Sequence, residues 1–207
     1  PKFAPLLLGC DFAETISAGV SAAYQPHGVE GDYITLFAYL DGVLFKMTDA
    51  KGTVSFALNA EDIPVMKFTY FGKYETPTDV TFPTGMVFTG FQKPLTVGNT
   101  NTATFTIAGL SLVTQSFSLD LANQAAWKDM IGRAGVRSPD RKPTASAVFE
   151  MTTVATKNWA EDVRLGTEMA LSIVHGTVAG NKVGIPCPKL QFNAEPRLSD
   201  ADRVAML

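Results

Sequence analysis

The sequence predicts a mainly β fold of antiparallel strands, and three observations lead to this prediction. Short β-prone runs alternate apolar and polar residues with a period of two, which is typical of a sheet with one face in a core and one in water. Turn-forming residues are frequent, with 17 Gly and 12 Pro among 207 residues. Hydrophobic residues make up 46% of the chain and charged residues only 18%, so we expect further surface to be covered in an assembly.

The first half of the sheet structure is predicted over residues 34–98, after an N-terminal arm and edge strand at residues 1–33. Asp41-Gly42 suits a type I′ hairpin turn, because Gly tolerates positive φ and Asp resists it less than most residues. A second turn is predicted at residues 49–52. The strands around these turns are predicted at residues 34–39, 43–47, 53–58 and 65–71.

The strand at residues 53–58 has two different faces. Its core face is apolar, and its opposite face is small and polar with no catalytic group. The core face holds Val54, Phe56 and Leu58, and the opposite face holds Thr53, Ser55 and Ala57.

The second half is predicted over residues 102–192, with a C-terminal segment at 193–207 and a polar boundary at 98–101. A helix is expected near residues 158–165, because Asn158 is a good N-cap and Gly166 ends the pattern. Two alternatives stay open for residues 122–132. They form either a helical turn or a loop that carries Trp127 and Met130 into the core.

A short repeat links the two halves at an offset of 91 residues. The stretch that begins at Asp49 lines up with the stretch that begins at Asp140, and each copy opens a strand. A real internal duplication and a chance match are both open. The turn and repeat positions singled out are Asp41, Gly42, Asp49, Lys51, Gly52, Asp140, Lys142, Thr144 and Ser146.

The sequence offers no residues for catalysis, cofactor binding or metal binding. The two histidines, His27 and His175, lie in no metal-ligand spacing, and the carboxylates are scattered. Asp140-Arg141 is expected to form a local ion pair in a turn. We therefore predict that the chain is not an enzyme and needs no cofactor.

Charge, cysteines and the N-terminus exclude further classes. The net charge of −3 does not suggest a basic surface for gripping nucleic acid. Cys10 and Cys187 are predicted to be buried free thiols, with a disulfide as the open alternative. The apolar run at residues 1–9 is too short for a secretory signal or a membrane span.

Five stretches resemble the tail tube (major tail) proteins of long-tailed bacteriophages. They lie within residues 34–192 and consist of turns and strands rather than catalytic signatures. The stretches are DGVLFKMTDAKGTVSF at 41–56, IPVMKFTYFGKY at 63–74, SPDRKPT at 138–144, ATKNW at 155–159 and GTVAGN at 176–181.

The resemblance implies a β-sandwich or barrel-like tail tube subunit with one short flanking helix, related to the tube protein of the type VI secretion system. Such subunits form rings that stack into a tube, with tail terminator and tail-tip proteins at its ends. The tube encloses the tape measure protein and later conducts DNA without binding it specifically. The implied location is the virion tail, assembled in the bacterial cytoplasm, with no membrane partner.

Residue-level expectations follow from the same resemblance. Thr53, Ser55 and Ala57 would line the lumen, whereas Lys46, Lys51 and Lys67 fit such a surface poorly. Six tube domains must close each ring, and the repeat favours three duplicated chains over six single ones. The alternatives are another virion protein, such as a head decoration or tail-tip protein, and a β-sandwich binding module.

Overall fold

The structure is a computed structural model that describes residues 2–28, 31–87, 89, 91–194, 197–201 and 204–206. It confirms the predicted mainly antiparallel β fold, because every strand pair whose register is given is antiparallel. In the described residues, no helix has the length and apolar character needed to cross a membrane. The helices and strands are α1 Ala4–Leu8, β1 Phe12–Ser17, β2 Ser21–Pro26, β3 Ile34–Leu40, β4 Val43–Asn59, β5 Val65–Tyr74, β6 Thr78–Asp79, β7 Thr104–Ile107, β8 Leu110–Ser111, β9 Thr114–Asp120, β10 Ala126–Met130, β11 Arg133–Arg137, β12 Thr144–Phe149, α2 Trp159–Leu165, β13 Met169–His175, β14 Val183–Leu190, β15 Ser199–Ala201 and β16 Val204–Met206.

The strands form two larger sheets and three two-stranded hairpins. The larger sheet has the order β12-β9-β4-β3, and β5 and β6 also pair with β4. The second sheet has the order β14-β13-β7-β8. The hairpins are β1–β2, β10–β11 and β15–β16.

The chain divides into two compact units, and each is built from three separate segments. The first unit comprises residues 1–56, 66–93 and 119–144, and the second comprises 57–65, 94–118 and 145–207. Strands β4 and β9 each continue from one unit into the other. The sequence halves at 34–98 and 102–192 stay a prediction about the organisation of the sequence.

The hairpin turn predicted at Asp41-Gly42 is confirmed. Asp41 has φ of 45° and Gly42 has φ of 83°, and a type I′ turn requires positive φ at both positions. Leu40 pairs with Val43 directly across the turn.

The second turn predicted at residues 49–52 is wrong, because β4 runs without a break from Val43 to Asn59. The register with β3 shifts between the pairs Ile34–Ala50 and Leu36–Met47, which leaves two residues of β4 opposite one of β3. Asp49 lies in this bulge with φ of 51°. The turn-like composition therefore encodes a β-bulge, which accommodates an extra residue and bends the strand.

The N-terminal segment contains a helix that the sequence reasoning missed. Pro5 reads as a breaker, but it lies at the first turn of α1, where a missing N–H is not needed. The predicted edge strand in residues 1–33 is a complete hairpin, in which β1 pairs with β2 from Phe12–Pro26 to Ser17–Ser21. Val29 and Glu30 lie outside the described residues.

Both alternatives for residues 122–132 are wrong. Residues 126–130 form β10, which pairs with β11 across a two-residue turn. Trp127 and Met130 are exposed rather than carried into the core. The alternating side chains of this hairpin belong to a two-stranded ribbon, and helix propensity alone does not detect such pairing.

The helix predicted near residues 158–165 is confirmed as α2. The Asn158 side chain accepts a hydrogen bond from the Glu161 N–H at 3.2 Å, and Gly166 ends the helix with φ of 62°. Trp159 is buried, and its ring packs edge-on against Phe149 and Phe192. In β14, which lies at a sheet edge, Pro186 and Pro188 are accommodated because an edge strand leaves one side unpaired.

Each unit has its own buried side chains. In the first unit the buried cluster holds Leu7, Cys10, Phe12, Val54 and Leu121, with Phe56 packed against it. In the second unit the buried set includes Ile107, Phe117, Phe149, Trp159, Met169, Leu171 and Ile173. The C-terminal segment at 193–207 contains the hairpin β15–β16, and Glu195, Pro196, Asp202, Arg203 and Leu207 lie outside the described residues.

Candidate assembly interface

Strand β4, which we call the wall strand, has the two faces that the alternation of its residues predicts. Val54 and Leu58 are buried, whereas Thr53, Ser55 and Ala57 are half-buried on the opposite face. The Thr53 hydroxyl oxygen accepts a hydrogen bond from the Asn123 N–H at 3.1 Å, so this residue is engaged within its own subunit. The lumen-facing role of the three small residues stays a prediction.

Lys51, one of the three lysines that fit a lumen poorly, is fully buried in β4. Its Nζ lies 2.6 Å from the Asp11 carboxylate and donates to the Gly31 carbonyl at 2.8 Å. The same ammonium lies 4.6 Å from the centre of the Tyr33 ring. Because a buried cation needs a paired anion, this contact fixes the N-terminal segment to the wall strand.

Asn123 extends this polar network. Its Nδ2 donates to the Cys10 carbonyl at 2.7 Å and to the Gly52 carbonyl at 3.0 Å, while its Oδ1 accepts from Arg141 Nε at 2.7 Å. The Arg141 guanidinium also donates to the carbonyl of Asp11 at 3.2 Å. The structure therefore brings the second repeat stretch close to Lys51 and Gly52 of the first.

The ion pair predicted between Asp140 and Arg141 is wrong. The Asp140 carboxylate accepts the Arg141 backbone N–H at 2.7 Å, as in a turn, and the guanidinium turns to the network instead. The acceptors of the guanidinium belong to the buried residues Asn123 and Asp11, whereas Asp140 is exposed, and an ion pair at an exposed position contributes little to stability. The other repeat positions, Lys142, Thr144 and Ser146, are exposed.

The offset of 91 matches strand order but not strand pairing. Adding 91 to the bounds of β3 gives residues 125–131, which contain β10, and adding it to β4 gives 134–150, which covers β12 and most of β11. Adding 91 to the bounds of β5 gives residues 156–165, which contain the helix α2, and the strand that follows α2 is β13. Whereas β5 pairs with β4, β13 lies with β7 and β14 in the other sheet.

A surface that the sequence reasoning missed is the β10–β11 ribbon. Trp127, Met130 and Ile131 are exposed by 44%, 51% and 109%. In contrast, Val136 at its base is 1% exposed, and its carbonyl accepts the Tyr33 hydroxyl at 3.2 Å. The available signal was limited to β11, where Ala134 and Val136 alternate with polar residues or glycine after Gly132, because the residues of β10 do not alternate.

Apolar side chains are also exposed on the edge strand β3 and its hairpin partner. Phe37 and Leu40 in β3 and Phe45 in β4 are exposed by 55%, 62% and 44%. The register places Leu40 and Phe45 on one face of this hairpin and Phe37 on the other. Exposed apolar side chains on both faces of a hairpin are suited to an interaction surface. An unpaired strand edge beside them is a template for pairing with another chain.

The two cysteines and His175 pack within the fold. Both cysteines are free, as predicted, although Cys187 is only half-buried. Burial raises the pKa of Cys10 to about 11 and also raises the pKa of Cys187. His175 Nδ1 lies 3.0 Å from the Thr102 hydroxyl, and no group of three or more His, Cys, Asp or Glu in the described residues could hold a metal ion.

The comparison with protein families gives one result that covers nearly the whole chain. The family model described as "Phage tail tube protein" matches residues 3–204. No curated protein matches the chain.

Proposed function

The chain belongs to the phage tail tube protein family, and from this membership we propose that its copies close rings that stack into a tube around the tape measure protein. It is a structural protein of the virion tail and not an enzyme. The observation that carries the ring proposal is the outer edge of β3, which pairs with no strand other than β4 in the described residues, together with its exposed apolar side chains. A closed ring in which such edges pair between subunits leaves no edge open to uncontrolled aggregation.

We also propose that the tube conducts DNA during ejection. Affinity for phosphate comes mainly from cations, so a lumen that lets DNA slide must keep lysines off its surface. Lys51 supports this proposal because its ammonium is buried against Asp11. Ser55 and Ala57 remain the proposed lumen residues on β4, together with Thr53.

For the ring we propose six chains. The sequence repeat favours three duplicated chains, but the strand pairing favours six, because β5 corresponds to α2 at this offset and the next strand, β13, lies in the other sheet. Each sequence half has only about a hundred residues, which is near the lower limit for a domain with its own core.

Electron microscopy of the purified full-length chain tests the ring, and native mass spectrometry of isolated rings tests the number. Rings or tubes with six chains are the expected result. Small single particles at every protein concentration would contradict the tube function, and rings of three chains would contradict the stoichiometry and support the duplication.

A further inference from the structure

The two faces of the β10–β11 ribbon differ sharply in charge. Directly opposed residues share a face, and the observed register pairs Lys128 with Gly135, Met130 with Arg133 and Ala126 with Arg137. One face therefore carries three cations and no carboxylate. We call this the basic face; it consists of Ala126, Lys128, Met130, Arg133, Gly135 and Arg137.

The opposite face contacts the rest of the subunit through Val136, which is buried. Trp127, which pairs with Val136, and Ala134 on the same face are exposed. Asp129 also lies on that side, so the ribbon's single carboxylate cannot neutralise the basic face. Alternation along the strands thus leaves the basic face directed away from Val136.

The cations of the basic face have no acidic partner among the described residues. The side chains of Lys128, Arg133 and Arg137 form no ion pair or hydrogen bond with the described residues. Lys128 is the diagonal neighbour of both arginines, a separation of about 7–8 Å, so the three charges repel one another. An acidic partner would relieve this repulsion.

A complementary acidic surface lies at the β3–β4 turn. Asp41 occupies the turn, and Asp79 pairs with Val43 directly beside it, while the Val80 N–H donates to the Gly42 carbonyl at 2.9 Å. The carboxylates of Asp41 and Asp79 form no ion pair or hydrogen bond with the part of the chain that the structure describes. We call this the acidic tip; it consists of Leu40, Asp41, Gly42, Asp79 and Val80.

Both surfaces carry exposed apolar groups beside their charges. The basic face includes the exposed Met130 and is flanked by the exposed Ile131, and the acidic tip has Leu40 exposed by 62%. Phosphate binding needs cations but no such apolar side chains, whereas protein interfaces combine apolar contacts with a charged rim. The pairing of apolar with charged groups therefore favours a protein partner over DNA.

We propose that the basic face of one copy docks on the acidic tip of a second copy. This inference rests on the proposed tube function, because it supplies a contact by which copies join. The two surfaces differ from each other, so the contact is heterologous, and heterologous contacts are those that close rings or propagate stacks. The whole chain has a net charge of −3, and the basic face contributes three positive charges. The rest of the chain therefore carries −6, that is, −3 minus 3, so a second copy offers an acidic surface outside its own basic face.

The first experiment reverses the charges of the basic face. Lys128→Glu/Arg133→Glu should raise the protein concentration needed for assembly about tenfold or more, because carboxylates would then face carboxylates. The matched control is Lys93→Glu/Lys142→Glu, which makes the same charge change at exposed lysines outside the ribbon and should assemble normally. Sedimentation velocity and electron microscopy give the readout, and circular dichroism with thermal melting verifies that each variant folds.

The second experiment tests the partner surface by rescue. Asp41→Asn/Asp79→Lys reverses the acidic tip while keeping at position 41 a residue that tolerates positive φ. This variant alone should likewise raise the protein concentration needed for assembly, and its combination with Lys128→Glu/Arg133→Glu in one chain should lower that concentration again. Glu61→Asn/Asp62→Lys, at another acidic turn, is the control that should give no rescue.

The outcomes separate this inference from the tube function. If wild-type protein forms no rings or tubes, both fail. If wild-type protein and Lys128→Glu/Arg133→Glu assemble equally, or if only the Glu61/Asp62 reversal rescues assembly, the docking inference fails and the tube function stands. The same variants are tested for binding of double-stranded DNA in a mobility-shift assay, and loss of DNA binding in Lys128→Glu/Arg133→Glu without loss of assembly would also overturn the docking inference and assign the basic face to nucleic acid.

Discussion

Replacing Asp11 by Asn isolates the role of the buried ion pair. Asn keeps the size of the side chain, an oxygen that can accept the Gly31 N–H, and tolerance of the positive φ of 60° observed at this position. It removes only the negative charge 2.6 Å from Lys51 Nζ. The variant therefore leaves a fully buried ammonium with neutral acceptors.

The expected loss of stability is large for a single substitution. At 2.6 Å and an effective dielectric constant of about 20, Coulomb's law gives about 6 kcal/mol of gross attraction. Desolvation of the two charges offsets part of this attraction, and breaking one side of a buried pair typically costs about 3–5 kcal/mol. We expect Asp11→Asn to lower the free energy of unfolding by an amount in that range.

Urea denaturation of the wild type, Asp11→Asn, Lys51→Met and the double variant gives the coupling energy of the pair. The double variant should be more stable than the sum of the single losses predicts, by about 2 kcal/mol or more, because it leaves no charge unpaired. Lys189→Met, which breaks an exposed pair with Glu168, is the control and should cost less than about 1 kcal/mol. Additive losses, or a loss below about 1 kcal/mol in Asp11→Asn, would refute the structural role of the pair.

Three further substitutions test other parts of the structure. Gly52→Ala should destabilise the protein by about 1–3 kcal/mol in urea melts, because the added Cβ would collide with the Thr69 carbonyl oxygen, whereas Gly135→Ala meets nothing within 4 Å and should be neutral. Asn158→Ala should lower the free energy of unfolding by about 1 kcal/mol, because it removes the N-cap of α2, whereas Asn158→Asp should keep most of the stabilisation by the cap. Equal losses of stability in the two variants would contradict the capping role. Burial raises the pKa of Cys10 from its ordinary 9.0 to about 11. The buried neutral thiol should therefore contribute its full stabilisation below about pH 9, and this stabilisation should be lost as the pH rises through about 11. Cys10→Ala should reduce this pH-dependent loss of stability. Thiol labelling at pH 8 should modify Cys187 before Cys10, and the reverse order would contradict the burial of Cys10.

Much of the fold was predictable because local chemistry and the final structure agree. The Asp41-Gly42 turn, the alternation of Val54, Phe56 and Leu58, and the cap at Asn158 each depend on neighbouring residues. The bulge at Asp49 was not predictable as such, because a positive φ in a strand and a positive φ in a turn draw on the same residue types. Only the pairing with β3 distinguishes them, and that is a long-range property.

The exposed residues of the β10–β11 ribbon and the burial of Lys51 were harder to predict for the same reason. Trp127 and Met130 look like core residues in sequence, and their exposure depends on the register of β10 with β11. Likewise, Lys51 looks like a surface lysine until the structure places Asp11 and Gly31 around its ammonium. A single sequence contains no signal for a contact between residues 40 positions apart.

The position of the buried network explains how one subunit can combine free strand edges with a single internal fold. Strand pairing by itself allows register shifts of two residues, since the same face stays buried. Beyond the bulge, the Gly52 N–H donates to the Gly9 carbonyl at 2.9 Å, and the adjacent Lys51 finds its carboxylate only when this register is kept. A shift of two residues would leave a buried ammonium unpaired, with a penalty of several kcal/mol. The internal register of the N-terminal segment on β4 is therefore fixed by charge.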